Sequence, residues 1–317
     1  MSFKKLVGVL FIAAILAVFI RMCAFETIRV MTPAMSENQP VGNRLIVEKW
    51  SAGTRFPFSV GIPFTPETLF GNKSYLSITE HYFRFPGIRK IKRNDLLAFN
   101  FPAQDTKKPI DRQPILLSRC IGLPGEYIRT KGVMVYIDDQ LIERSPDVCA
   151  CYSYPIKQKE SVTALLKIGQ INQKTYVEKD SGFIYLTRYQ YYDLTKQQLK
   201  NAIKLKPRTS SFDQRSALIP FKGFNIELDN RSYKNWADLI NRYEGVQLKR
   251  TDDGHFKENG KRVETYTFKQ NYYWMLNDHQ GFLNDSRSLG LIPESHLIGK
   301  ACLVLFSPKT KRFLQKI

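Results

Sequence analysis

The stretch that most constrains the fold is Leu116-Leu117-Ser118-Arg119-Cys120-Ile121-Gly122-Leu123-Pro124-Gly125-Glu126. An apolar run is stopped there by Gly-x-Pro-Gly, which makes a fixed turn after a strand and cannot sit inside a helix. Val133 to Ile137 then supplies another short apolar run, closed by Asp138-Asp139. The pattern recurs. Leu45-Ile46-Val47 follows Val41-Gly42-Asn43, Leu96 to Phe101 follows the turn Lys92-Arg93-Asn94-Asp95, and Tyr266 to Phe268 and Tyr272 to Leu276 come late. Short apolar runs bounded by turn residues read as strands, so the fold class expected is mainly β. Strands at 29–48, 91–101 and 114–137 are the firm expectations.

The N-terminus is different in kind. Lys4-Lys5 precede fifteen uncharged residues, Leu6 to Ile20, and Arg21 follows. As a helix these fifteen span about 22 Å, short of a roughly 30 Å bilayer core, although Cys23 to Phe25 extend the run and the basic ends can snorkel. A cleaved signal peptide is the competing reading, but no small-x-small site follows promptly. The expectation is an uncleaved anchor at 1–25, the N-terminus cytoplasmic by its lysines and the body outside.

Between about 140 and 262 the strand pattern gives way to two readable helices. Thr195-Lys196-Gln197-Gln198 has the form of a capping box before Leu199, Ala202 and Ile203. Trp236, Leu239, Ile240 and Tyr243 carry helical spacing with Gly245 as a stop.

The formal net charge is +19, which suits a solvated basic surface or one facing anionic lipid or an acidic partner. Nucleic acid is not expected, because Arg89 to Arg93 and Lys309 to Arg312 come without a recognised nucleic-acid motif. Five cysteines make no disulfide framework. Cys149-Ala150-Cys151 has no second pair or histidine cluster beside it, so neither a metal nor a cofactor is expected.

In order along the chain, Thr32-Pro33-Ala34-Met35 leading to Gly42-Asn43 and Glu48-Lys49, then Asn94-Asp95, then Arg119-x-x-Gly122-x-Pro124-Gly125, then Asp285-Ser286-Arg287 and Gly299-Lys300-Ala301, resemble the boxes of the membrane-bound type I signal peptidases. The resemblance implies a β core at 26–139 and 263–317, interrupted by an inserted second β/α domain at 140–262. It implies an inner-membrane, single-pass protein with a periplasmic body. Arg119, Gly122, Pro124, Gly125, Asp285 and Arg287 match the family's structural positions.

The catalytic positions do not match. Aligned on the boxes, the nucleophilic serine falls on Ala34, the lysine base on Ser118, the serine that orients the lysine on Leu283, and the glycine opening the last box on Asn277. Only the oxyanion-assisting serine has a counterpart, Thr32. An alanine methyl cannot attack a carbonyl, and in one serine protease loss of the nucleophile alone costs about 10⁶-fold in turnover. The resemblance therefore implies a pseudoenzyme. The alternatives are an active signal peptidase in which Ala34 is an engineered replacement for serine, or a serine (Ser36 or Ser118) served by His279, which also reads as an ordinary loop histidine. By position Val30, Met35, Leu116 and Leu117 would line the pocket for the residue before the cut, or be plain core. The partners implied are the membrane, signal peptides or precursor N-termini, and the translocon or an active signal peptidase paralogue.

Overall fold

The computed structural model describes residues 3–35, 39–61, 68–69, 72–73, 75–77, 82–102, 108–171, 173–196, 205–208 and 213–317. The chain is mainly β. Its central sheet is antiparallel and eight-stranded, in the spatial order Phe25–Arg29, Arg44–Glu48, Leu297–Phe306, Leu96–Asn100, Ile115–Gly122, Tyr272–Leu276 and Ile292–Pro293, with Phe313–Lys316 paired to Leu297–Phe306. Leu96–Asn100 and Tyr272–Leu276 are buried at every residue, which is why their sequences are apolar without interruption. The pleat sends alternate side chains to opposite faces. Ile28, Val30, Met35, Leu45, Ala98 and Leu117 pack on one side, and Leu97, Phe99, Leu116, Cys120 and Met275 on the other.

Two glycines of the expected boxes are there for space. A Cβ on Gly299 would lie 2.0 Å from the backbone oxygen of Glu48, and one on Gly122 would lie 2.4 Å from Ile219 Cδ1 and 2.9 Å from Trp274 Cβ. Asp95, beside the second box, takes Lys300 Nζ at 2.6 Å, so the box residues tie neighbouring strands together.

The expected anchor forms a helix, Phe3–Cys23, and Val9, Phe11, Ile12 and Leu16 on it are more than half exposed. Lys4, Lys5 and Arg21 lie inside this helix and limit its uncharged part to about 22 Å. Among the described residues no helix is long and apolar enough to cross a membrane. The helix meets the sheet through Thr54 Oγ1, which donates to Cys23 O at 2.5 Å, and Lys49 N, which donates to Ala24 O at 2.9 Å.

Within 140–262, Ala150–Pro155, Thr175–Glu178, Ser181–Leu186 and Lys206–Pro207 make a four-stranded sheet. Against it lie Lys159–Ile168, a helix not anticipated from the sequence, and Arg188–Lys196. Val162, Leu165, Leu166 and Leu194 pack there with Tyr154, Ile184 and Leu186. Thr195 and Lys196, expected at the start of a helix, are helical as the last described residues of Arg188–Lys196. That helix begins at a capping box in which Gln190 N donates to Thr187 Oγ1 at 3.2 Å and Thr187 N to Gln190 Oε1 at 3.0 Å. Residues 197–203 lie outside the described set. The second expected helix forms as Asn230–Tyr243, capped by Asp229 and Ser232. Its Ala237 and Ile240, with Ile219, share one core with Ile121, Ile128 and Trp274. Gln214–Leu218 pairs with Tyr127–Lys131. Part of the 140–262 stretch is therefore continuous with the residues on either side of it.

Replacing Gly299 by alanine forces the new methyl into the Glu48 carbonyl, an overpacking cost of about 1–3 kcal/mol. Denaturant unfolding of the Gly299→Ala protein in detergent is expected to show a lower midpoint with an unchanged slope; wild-type stability would contradict the contact.

Candidate functional site

The register of the central sheet assembles the site. Leu276 pairs with Arg119 and Met275 with Cys120, so the chain leaving Tyr272–Leu276 carries Asn277 alongside Ser118. Ser118 Oγ donates to Asn277 Oδ1 at 2.7 Å. Asn277 Nδ2 in turn donates to Phe282 O and to Asn284 Oδ1, both at 2.9 Å, and its backbone N–H to Asp285 Oδ2 at 2.8 Å. Ser118 is fully buried and Asn277 nearly so. The two positions expected for the base and for the opening glycine thus form one closed hydrogen-bond network. Leu283, at the orienting position, is half-buried and outside that network; its side chain lines a separate cavity of about 220 Å³ with Cys151, Tyr185 and Asp213.

Ala34 sits in the short helical turn Pro33–Met35, buried like Met35. Its carbonyl accepts the backbone N–H of His279 at 3.0 Å, so the last box lies directly against the first. Thr32, one residue before the turn, is half-buried. The turn is braced from below: Val30 N donates to Asn43 O at 2.8 Å, Gly42 N to Val30 O at 2.9 Å, and Ser307 Oγ to Asn43 Oδ1 at 2.6 Å.

Two buried charge centres hold the last box. Arg119 donates to both oxygens of Asp278, at 3.0 and 2.6 Å. Burial opposes the Arg119 charge, but the Asp278 bonds and charge outweigh it and raise its pKa. Arg287 grips Asp285 at 2.8 Å and Asp213 at 2.9 Å, and also donates to Gln280 O and Phe282 O. Desolvation is again overcome by the carboxylates, and its pKa is raised. Asp213, Arg144 and Asp278 carried no motif signal of their own; only folding brings them in.

The four expected pocket residues divide. Val30, Met35 and Leu117 pack together beside Ala34, and Leu116 points to the opposite face against Phe99. All four are less than a tenth exposed. His279 lies between Tyr185 and Phe282, with ring centroids 4.7 and 4.8 Å away. Its Nδ1 accepts the Gly281 N–H at 3.1 Å, and burial lowers its pKa to about 4. Among the described residues no serine bonds it; Ser36 lies outside them. Cys149 and Cys151 are buried and not joined in a disulfide, and burial pushes the Cys151 thiol up to about 11. Among the described residues no group of three or more His, Cys, Asp or Glu side chains could hold a metal ion.

The family model described as "Signal peptidase, peptidase S26" matches residues 3–188 and 218–306. The chain is similar to the Signal peptidase I of Buchnera aphidicola subsp. Acyrthosiphon pisum (strain APS), 23% identical over 298 residues that cover 94% of this chain and 73% of the relative. It is similarly related to the Signal peptidase I of Buchnera aphidicola subsp. Schizaphis graminum (strain Sg), 22% identical over 313 residues, 98% of this chain and 77% of the relative.

Two outcomes are expected. Ser118→Ala leaves Asn277 Oδ1 buried without its donor and should cost about 1–3 kcal/mol in unfolding experiments; no loss would break the network argument. For pH, His279 and His296 have pKa values lowered to about 4 and about 3, chiefly by burial. Unfolding lets both bind protons near pH 6.5, so their contribution is complete above that pH and shrinks as pH falls toward 4. Thermal unfolding at pH 7 and pH 4.5 should show a smaller drop for His296→Gln than for wild type. Equal drops would show that these histidines are not buried neutral.

Proposed function

The chain belongs to the signal peptidase family, peptidase S26, and we propose that within it this protein is a non-catalytic scaffold held at the membrane. The observation that carries the reading is the hydrogen bond from Ser118 to Asn277. A serine peptidase of this kind needs a hydroxyl, a base to take its proton, and donors for the oxyanion. Ala34 has no hydroxyl, and the position expected for an amine base holds a serine whose hydroxyl is already engaged by an amide oxygen. Leu283 has no polar atom with which to orient a base. The relatives named Signal peptidase I supply the setting: protein export, with signal peptides or precursor N-termini passing nearby.

In this reading the N-terminal helix anchors the chain in the inner membrane, N-terminus cytoplasmic and body periplasmic. Its exposed apolar side chains support an anchor. The residues 140–262 serve as an inserted module, which with the +19 charge offers a basic surface to the translocon or to an active peptidase paralogue. A second reading, a module that holds signal peptides without cutting them, draws on the convergence of Val30, Met35 and Leu117 beside Ala34. Their near-complete burial favours the scaffold.

Purified full-length protein in detergent is expected to leave a signal-peptide-bearing precursor uncut, and so is Ala34→Ser, because a serine alone lacks a base. Processing by the wild type, free of contaminating peptidase, would overturn the proposal. Crosslinking in membranes separates the two readings. The scaffold predicts a membrane-protein partner and no signal-peptide adduct; an adduct at a probe placed on Met31, which is exposed, would favour peptide holding.

A further inference from the structure

Away from the site just described, a cavity of about 360 Å³ opens between the edge strand Gln140–Ile142 and the strand Ala150–Pro155. Val133, Leu141, Val148, Ala150 and Tyr152 make most of its wall, and Arg144 stands among them. Arg144 is the anomaly. Its side chain is only 10% exposed. One nitrogen, Nη2, donates to Asn277 O at 2.9 Å. The nearest carboxylate, Asp278, lies 4.0 Å away and is already bound at both oxygens by Arg119. Arg144 Nε has no hydrogen-bond partner among the described residues. Burial lowers its pKa to about 10, and the Asp278 charge recovers only part of that.

Arg119 and Arg144 therefore both lean on Asp278, with Asp147 adding to Arg119 and Asp285 adding to Arg144 from farther away. An uncompensated buried charge is costly, and so is a buried N–H left without an acceptor. An anion entering the cavity that Arg144 lines would bring a second carboxylate beside that guanidinium. The remaining walls are apolar, and at this size the cavity sits at the small end of ligand pockets, which run from roughly 300 to 1,000 Å³. Arg188 and Glu143 at the rim satisfy each other, 3.3 Å apart and both exposed, so they leave the interior charge to Arg144.

We propose that this cavity binds a carboxylate carried on an apolar group, the carboxylate paired with Arg144 and the apolar part against Val133, Leu141, Val148 and Ala150. The same chemistry occurs in a free organic acid and in the C-terminus of an apolar peptide. The proposal is independent of whether the chain cuts peptides. Because Arg144 also holds Asn277, occupancy would bear directly on the box that packs against Ala34.

Isothermal titration of the full-length protein in a non-ionic detergent tests it. The probes are 4-phenylbutyrate and the tripeptide acetyl-Ala-Leu-Val with a free C-terminus, each against its neutral amide. At least one acid is expected to bind with one-to-one stoichiometry and at least tenfold more tightly than its amide. Binding of the small acid alone identifies a free acid as the source; binding of the tripeptide alone identifies a chain terminus. Arg144→Gln should weaken binding at least tenfold. Should that variant fail to fold, Leu141→Glu still decides: Leu141 is 61% exposed, so the change spares the core while placing a repelling charge on the wall. No binding by either acid up to about 10 mM, well beyond the millimolar affinities of the weakest specific ligands, would overturn the proposal. Amides that bind as well as the acids, or wild-type binding by Leu141→Glu, would overturn it too.

Discussion

The geometry around Ala34 depends first on Arg287. Its side chain is 4% exposed, with Asp213 and Asp285 as its buried carboxylates at 5% and 0%. Taking three charges out of water is expensive, and it is tolerated only where nearly every donor is matched. Here the guanidinium binds two carboxylates and two backbone carbonyls, Gln280 and Phe282. Those contacts fold the 280–287 segment back on itself. Asp285 can then accept the Asn277 N–H, and Phe282 O can accept the Asn277 side chain. Without Arg287 the last box would have no fixed shape against which Ser118 could bond.

What occupies the place of the chemistry is a set of neutral, mutually satisfied polar groups. A lysine base works when burial disfavours its charge and when a hydroxyl waits within reach. A serine at 118 and an asparagine at 277 meet the burial constraint differently: they complete each other's hydrogen bonds and leave nothing to titrate. This is a stable arrangement for a core. His279 is engaged as well, its Nδ1 accepting the Gly281 N–H and its ring packed against two aromatic neighbours.

The sequence carried the parts of this architecture that local physics dictates. The Gly-x-Pro-Gly turn, the uninterrupted apolar strands and the Asp229 to Tyr243 helix all follow from rules acting within a few residues. Asp285 and Arg287 were legible because they are neighbours in one short box. Asp213, Arg144 and Asp278 were not, because partners 74, 133 and 159 residues away leave no local trace. The capping box at Thr187 was passed over although Thr187 to Gln190 has the same Thr-x-x-Gln form as Thr195 to Gln198; the helix it opens places Leu194 in a core with Val162, Tyr154 and Ile184. Leu116 was grouped with Leu117, although neighbours on a strand must face opposite sides.

The coupling of these positions bears on how the site could change. Ser118, Asn277, Asn284 and Asp285 are joined by direct hydrogen bonds, so substitutions among them do not add independently. A lysine at 118 would bring a buried amine toward an amide already engaged by Phe282 and Asn284, with no carboxylate free to pair with it, since Asp285 is held by Arg287. A serine at 283 would start outside the network, on the wall of a different cavity. A lysine at 118 therefore gives up the Ser118–Asn277 hydrogen bond, whereas a change at 283 leaves the network untouched. Position 118 is thus the one most tightly constrained by the hydrogen bonds of the surrounding core.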